Sequence, residues 1–349
     1  MHYYEERKKK GGGKLIVIII IAVIIIVAAL AIVFNFDKLQ YYFKHGEMPD
    51  PDATITATPE ITPVPTATPA PVPPLNPAED TIGTRFNPPA GYVRQNVEEG
   101  SFGEYLRNFK LKTFGAVAKL ADGTDNPNAP TDTGVLEMDI RKNGLQQCAD
   151  SIIRLYAEYW YARAQKAESE GRSSAADYEH ITFDCYTNPV FKLDFATWTQ
   201  GNRVRANGNK LEWYQSPDAT PGDTSYGTLR YYLDIVFNYA NTYSLKNQMM
   251  AVNSSDLQVG DCLIITAAQT GGTDGHALLV VDVAISQETG KKIFVLAEGN
   301  TPATEMYILR DVVNNTVWFT LDEDGSFTKT AADGRVVNYP LDSFRRFKR

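Results

Sequence analysis

Cysteine and histidine are scarce in this chain of 349 residues, which has three cysteines and four histidines. Cys148 lies near the start of a long amphipathic segment, residues 145–169, whose apolar residues recur at helical spacing. The unpaired N–H groups and the dipole at a helix N-terminus favour a thiolate over a thiol. The sequence therefore predicts Cys148 as a candidate nucleophile, against the ordinary interpretation that a cysteine on an amphipathic helix is a core residue.

A nucleophilic thiol needs a base, and His276 is the histidine best placed to be one. It opens a β-prone run, residues 276–285, which a short turn joins to a second run, residues 292–300. If the two strands pair with His276 opposite Asn300, then Glu298 lies on the same face, diagonally across. Either Glu298 or Asn300 could then orient the imidazole of His276.

An oxyanion formed by attack of Cys148 would need hydrogen-bond donors. The backbone N–H of Cys148 and the side chain of Gln147, or that of Gln146, are the candidates from the sequence. Cys185 and Cys262 lie in predicted strands and are expected to be structural, either as free thiols or as a disulfide.

Composition and charge narrow the classes of ligand. The net charge is −8, and because residues 1–14 carry +3, the remainder carries −11. An acidic domain of this kind argues against nucleic acid as a partner. No second His or Cys lies at close ligand spacing from His276, so the sequence predicts neither a metal site nor a cofactor.

The elements that must position these residues indicate an α+β fold, because helices precede a block of antiparallel strands. We expect a single globular domain over residues 82–349. Helices are predicted within residues 100–112, 145–169 and 228–245. Strands are predicted over residues 135–140, 180–187, 261–268, 276–285, 292–300 and 316–321.

The N-terminal region predicts a membrane anchor. Residues 1–14 are basic, and Leu15 to Phe34 has no polar side chain over 20 residues, the length that spans a bilayer as a helix. The positive-inside rule places residues 1–14 in the cytoplasm and the rest outside the cell. Residues 35–81, rich in Pro and Thr, predict an extended extracytoplasmic stalk. A cleaved signal peptide is the competing interpretation.

The order of Cys148, His276 and Glu298 or Asn300 resembles that of papain-like cysteine hydrolases, in particular the CHAP and NlpC/P60 types. In those families a Cys opens a helix, and Gly-Asp and Gly-His mark successive strands, as in Gly260-Asp261 and Gly275-His276 here. The resemblance implies a papain-like domain with an antiparallel sheet and a long helix that bears Cys148. The long Cys-to-His separation would require an insertion, placed within residues 171–245.

A second resemblance covers more of the chain, roughly residues 85–347. The runs GSFGEYLRNFKLK, LQQCADSIIRLYAEYWYA, TLRYYLDIVFNYANTYSL, VGDCLI, GHALLVVDVA and TGKKIFVLAEGNTPA are similar to the bacterial family known as domain of unknown function 4846. This resemblance implies no activity.

The first functional interpretation is a membrane-anchored extracytoplasmic cysteine hydrolase that cleaves an amide bond, with cell-wall peptide as the candidate substrate. In it Cys148 attacks, His276 acts as base and then acid, and Glu298 or Asn300 orients His276. The alternative is a non-catalytic module of the cell envelope, which either binds wall peptide or glycan or is a structural part of a larger complex. The two differ in whether the Cys148 thiol is reactive.

Overall fold

The computed structural model describes residues 75–272, 274–331 and 334–348. The predicted basic tail, the apolar segment Leu15 to Phe34 and the stalk up to residue 74 lie outside these residues. The last residues assigned to the stalk already pair with the domain: Leu75 forms a β-bridge with Phe86, and the Asn76 N–H donates to the Arg85 carbonyl. Within the described ranges no helix combines the length and the apolar character needed to cross a membrane.

The helices of the described chain are mostly short. They are α1 (Ile82–Arg85), α2 (Phe102–Arg107), α3 (Cys148–Ser169), α4 (Ala175–Glu179), α5 (Phe195–Thr199), α6 (Tyr226–Tyr239), α7 (Thr242–Gln248) and α8 (Ala267–Thr270). Several begin at a hydroxyl or carboxylate side chain that accepts from a backbone N–H of the first turn, as Ser101 does for α2 and Ser225 for α6. Helix α3 is the longest, and its buried residues extend over most of its length.

The strands are likewise short, except for one. They are β1 (Tyr92–Arg94), β2 (Thr182–Cys185), β3 (Phe191–Asp194), β4 (Asn202–Asn207), β5 (Lys210–Gln215), β6 (Met250–Ala251), β7 (Cys262–Ile265), β8 (His276–Ser286), β9 (Lys292–Glu298), β10 (Tyr307–Ile308), β11 (Trp318–Thr320), β12 (Phe327–Thr330), β13 (Val336–Tyr339) and β14 (Phe344–Arg346). The pairs β2–β3, β4–β5 and β12–β13 form separate two-stranded sheets.

The main sheet is antiparallel and centred on β8. Its strand order is β10-β9-β8-β7-β14-β6, and in addition β1 pairs with β8 and β11 with β9. Strand β8 is apolar and buried nearly throughout, because α3 and α2 pack against it. The predicted α+β class with an antiparallel sheet is confirmed.

The chain departs from the predicted elements in three places. The strand predicted over residues 261–268 is β7 only as far as Ile265, and α8 begins at Ala267. Residues 135–140 are not a strand; Val135 and Leu136 form only isolated bridges, with Tyr307 and Leu111. The helix predicted over residues 228–245 is divided into α6 and α7. The division follows from Asn241, whose side chain accepts the Ser244 N–H at 2.9 Å while the Ser244 hydroxyl accepts the Asn241 N–H at 3.0 Å.

Two buried carboxylates form ion pairs that join strands of the main sheet to neighbouring elements. Asp261 is the residue before β7. Its two carboxylate oxygens accept from Nε and Nη2 of Arg346 in β14, at 2.6 and 2.7 Å. Asp282 in β8 accepts from Arg94 at 2.7 Å and from Arg107 at 2.8 Å. Both carboxylates are fully buried, so each charge depends on its arginine partners. The Gly-Asp pair that suggested a hydrolase motif therefore has a structural role for its aspartate.

Candidate active site

Cys148 is the first residue of α3. The chain turns at Gly144, which has a left-handed φ of +68°, and reaches the helix through Gln147 in extended conformation. The Gln147 N–H donates to the Asp150 carboxylate at 2.9 Å, an interaction that fixes the first turn. The thiol of Cys148 is therefore held at the positive end of a 22-residue helix, with 4% of the residue exposed.

The sheet supplies the other side of the site. Leu279 pairs with Ala297 and Val280 with Leu296, the register that places His276 opposite Asn300. Glu298, the last residue of β9, therefore lies on the same face as His276. A shift of register occurs only farther along β8, between Val280 and Asp282, and does not disturb this end of the hairpin.

Two glycines allow the helix and the strands to approach closely. A Cβ atom at Gly299 would lie 2.7 Å from the Ser151 hydroxyl oxygen and 3.2 Å from the Gln147 carbonyl oxygen. A Cβ atom at Gly275 would lie 2.5 Å from the Ile265 carbonyl oxygen. Gly299 adjoins Glu298, and the absence of a side chain there lets the end of β9 lie close to α3. Gly275 adjoins His276 and lets the start of β8 lie close to β7.

Three side chains of complementary chemistry come together here. The His276 Nε2 atom lies 2.7 Å from Glu298 Oε2, and the Cys148 side chain is close enough to raise the pKa of the ring. Because Nε2 is hydrogen-bonded to Glu298, Nδ1 is the ring nitrogen that remains to exchange a proton with the thiol. Thiol, imidazole and carboxylate thus stand in the order that nucleophilic catalysis by cysteine requires.

Glu298 is buried, and both of its carboxylate oxygens have hydrogen-bond partners. Lys329 Nζ lies 2.5 Å from Oε2, and the Tyr307 hydroxyl donates to Oε1 at 2.7 Å. Burial by itself raises the pKa of Glu298, but Lys329 and then His276 outweigh burial and hold this pKa well below its usual range. The carboxylate is therefore ionised at neutral pH and accepts from His276 as an anion.

His276 is held in its protonated form. Burial lowers the pKa of His276, but the interactions with Cys148 and Glu298 are stronger and raise it to about 9. At neutral pH the imidazolium is therefore the favoured state, and it can donate to Glu298 and to Cys148 together.

The two other predicted site residues lie at the edge. The Asn300 side chain accepts from the Thr301 N–H at 2.8 Å, and of the two candidates Glu298 is the one bonded to His276. Gln147 accepts from the Thr301 hydroxyl at 3.2 Å and so joins the start of α3 to the end of β9.

Gln146, the alternative to Gln147, is 2% exposed and bonds to Ser151 and Arg154. Its amide is therefore part of the packing beneath the helix start.

Sequence reasoning missed Tyr307 and Lys329. Tyr307 pairs directly with Glu298 in the ladder of β10 and β9, a pairing that the loop between them hides in the sequence. Lys329 belongs to β12, in a separate two-stranded sheet, and nothing in its sequence neighbourhood indicates where that sheet packs.

The remaining cysteines are structural in character. Cys185 and Cys262 are free and buried, and burial raises the pKa of Cys185 to about 12 and that of Cys262 well above its usual value. Both thiols therefore stay protonated. No group of three or more His, Cys, Asp or Glu residues in the described ranges is arranged to hold a metal ion.

Comparison with known families identifies the family to which the chain belongs. Residues 82–333 match the family described as domain of unknown function 4846. The chain belongs to this family. The family match contains Cys148, His276, Glu298 and Lys329, and it ends before β13 and β14. No match was found among curated proteins or among solved structures.

Proposed function

We propose that this member of the domain of unknown function 4846 family is a cysteine hydrolase of papain-like type that cleaves an amide bond. The observation that supports the proposal is the grouping of Cys148, His276 and Glu298, with the cysteine at a helix N-terminus. A partly buried imidazole between a thiol and an ionised carboxylate is costly unless it is paired, and pairing of this kind is typical of catalytic sites.

The arrangement supports a two-step reaction. His276, as the imidazolium, holds the proton that the thiol has given up, and the Cys148 sulfur attacks the carbonyl carbon to form a C–S bond while the carbonyl electron pair moves to oxygen. The pair returns as the C–N bond breaks, and His276 gives its proton to the leaving amine. A water then attacks the thioester with His276 again as base, which releases the acid and restores the thiol.

Glu298 orients the ring in this scheme. Its Oε2 atom holds Nε2, and so leaves Nδ1 for the sulfur. Lys329 and Tyr307 keep the carboxylate ionised and fixed, so it stabilises the imidazolium without taking its proton.

The proposed substrate class rests on the location that the sequence predicts. An apolar anchor at residues 15–34 and a Pro- and Thr-rich stalk would hold the domain outside the cytoplasmic membrane. Amide bonds of the cell-wall peptide are the substrates that such a domain would meet there.

Alkylation kinetics test the proposal. Iodoacetamide is applied at neutral pH, and modification of each cysteine peptide is followed by mass spectrometry. We expect Cys148 to react faster than Cys185 and Cys262, and we expect His276→Ala to slow the Cys148 reaction about tenfold or more, because the thiol loses its proton acceptor. His180→Ala is the matched control, since His180 stacks on Trp160 at a ring separation of 3.8 Å and should leave the rate unchanged.

The proposal fails if Cys148 reacts no faster than the two buried cysteines, or if His276→Ala leaves its rate unchanged. Either result would favour the alternative of a non-catalytic envelope module that binds wall peptide or glycan.

A further inference from the structure

Tyr339 carries a polar group that the site described above does not use. The residue is fully buried, and its hydroxyl has no hydrogen-bond partner among the described residues. A buried hydroxyl without a partner destabilises the fold, and such groups in folded proteins call for a specific explanation.

The position of Tyr339 directs its side chain toward the catalytic residues. Tyr339 pairs with Phe327, and Lys329 pairs with Val337, across the two-stranded sheet of β12 and β13. Directly paired residues and residues two apart share one face, so these four side chains lie on one side of the sheet. Lys329 contacts Glu298 from that face, and Tyr339 is its diagonal neighbour.

The electrostatics agree with this placement. Burial raises the pKa of Tyr339 well above its usual value, and the charges of Glu298 and Cys148 raise it further. The hydroxyl therefore lies close enough to interact electrostatically with both groups but outside hydrogen-bonding distance of either. A phenol that stays protonated acts as a donor and not as a base.

We propose that Tyr339 is a further catalytic residue, whose hydroxyl donates a hydrogen bond to the oxyanion that forms when Cys148 attacks a carbonyl; this inference rests on the proposed function. A donor that serves the oxyanion must lie about 3 Å from the carbonyl oxygen of the intermediate, and not from the attacking sulfur. It is therefore left unpaired in the free protein. The backbone N–H of Cys148 is a second donor, because the first N–H groups of a helix have no partner within it.

Two probes of Cys148 separate this role from a general effect on the thiol. With p-nitrophenyl acetate, the sulfur adds to the carbonyl carbon, the electron pair moves to oxygen, and its return expels p-nitrophenolate to leave an acetyl thioester. With iodoacetamide, the C–S bond forms as the C–I bond breaks, and no oxyanion arises. Both reactions are quantified on the Cys148 peptide by mass spectrometry, in the full chain.

In Tyr339→Phe we expect acetylation of Cys148 to slow about 100-fold, because one oxyanion donor is lost. We expect the iodoacetamide rate to be unchanged and the thermal midpoint not to fall, because the hydroxyl removed had no partner. Tyr232→Phe is the matched control. Its buried hydroxyl donates to the carbonyls of Ile181 and Leu193 at 3.0 and 2.9 Å, so its loss should lower the midpoint and leave acetylation unchanged.

The outcomes distinguish the two proposals. If wild-type Cys148 reacts with both reagents and Tyr339→Phe slows neither, the oxyanion role is wrong while the cysteine hydrolase remains. If Tyr339→Phe slows both reactions equally, Tyr339 acts on the thiol itself and the oxyanion role is again wrong. If wild-type Cys148 reacts with neither reagent, the proposed function fails and this inference fails with it.

Discussion

At the scale of single residues, the unusual feature is a histidine whose protonated form is favoured although its side chain is only 19% exposed. Cys148 and Glu298 raise the pKa of His276 to about 9 against the effect of burial. Because this value lies above the ordinary 6.5, the protonated ring stabilises the fold fully below about pH 6.5, and the contribution is lost as the pH rises through about 9.

We predict that Cys148→Ala and Glu298→Gln each lower the pKa of His276 from about 9 toward its ordinary value of 6.5, because each variant removes a group that favours the imidazolium. NMR of histidine-labelled protein measures this directly, since the chain has only four histidines to assign. A His276 pKa that stays near 9 in both variants would show that neither residue holds the proton.

Lys329 is the second residue whose charge matters. Replacement by Met leaves the buried Glu298 carboxylate without its ammonium partner, and we predict a loss of about 3 kcal/mol in the free energy of unfolding at neutral pH. The double variant Lys329→Met, Glu298→Gln should lose less, because the uncompensated charge is gone. Urea denaturation measures both, and a Lys329→Met protein as stable as the wild type would contradict this account of the pair.

At the scale of elements, the site depends on how closely the start of β8 approaches its neighbours. A Cβ atom at Gly275 would overlap the Thr242 hydroxyl and would lie 2.5 Å from the Ile265 carbonyl oxygen and 3.0 Å from the Thr266 Cα. Two of these three contacts are with backbone atoms, which cannot rotate away. Any side chain at this position must therefore move the strand end that carries His276.

We predict that Gly275→Ala lowers the free energy of unfolding by about 2 kcal/mol and slows iodoacetamide alkylation of Cys148, because overpacking displaces His276. The matched control is Gly227→Ala in α6, where a Cβ atom would meet only the Ser225 hydroxyl, at 3.8 Å, and helix propensity favours alanine by up to about 1 kcal/mol. Equal stability of the two variants would argue against the close approach at Gly275.

At the scale of the whole molecule, the fold needs residues beyond the family match. That match ends at residue 333, yet β13 pairs with β12, and β14 lies between β7 and β6 in the main sheet. Arg346 of β14 also neutralises the fully buried Asp261. The C-terminal residues therefore complete both the sheet and the side of the site that carries Lys329 and Tyr339.

We predict that a chain that ends at residue 333 has no cooperative unfolding transition and loses near-UV circular dichroism. Arg346→Met, which keeps β14 but leaves Asp261 unpaired, should still fold, with a free energy of unfolding about 3 kcal/mol lower. A truncated chain that unfolds cooperatively at the midpoint of the full chain would show that β13 and β14 are dispensable.

The sequence by itself determined the elements whose signals are local. The spacing of apolar residues predicted the Cys148 helix, and the turn between β8 and β9 predicted the register that brings Glu298 to the face of His276. The same reasoning failed for residues 135–140, which are β-prone but find no continuous strand to pair with.

Tertiary structure alone decided which distant groups complete the site. Lys329 and Tyr339 come from a two-stranded sheet whose docking depends on packing between Phe327 and the aromatic rings of the main sheet, at separations of 5.5 and 5.6 Å from Phe294 and Phe319. Side-chain packing of this kind leaves no periodic trace in the sequence. The choice of Glu298 over Asn300 was likewise decided by the hydrogen bond to His276 and by the buried cation that keeps this carboxylate charged.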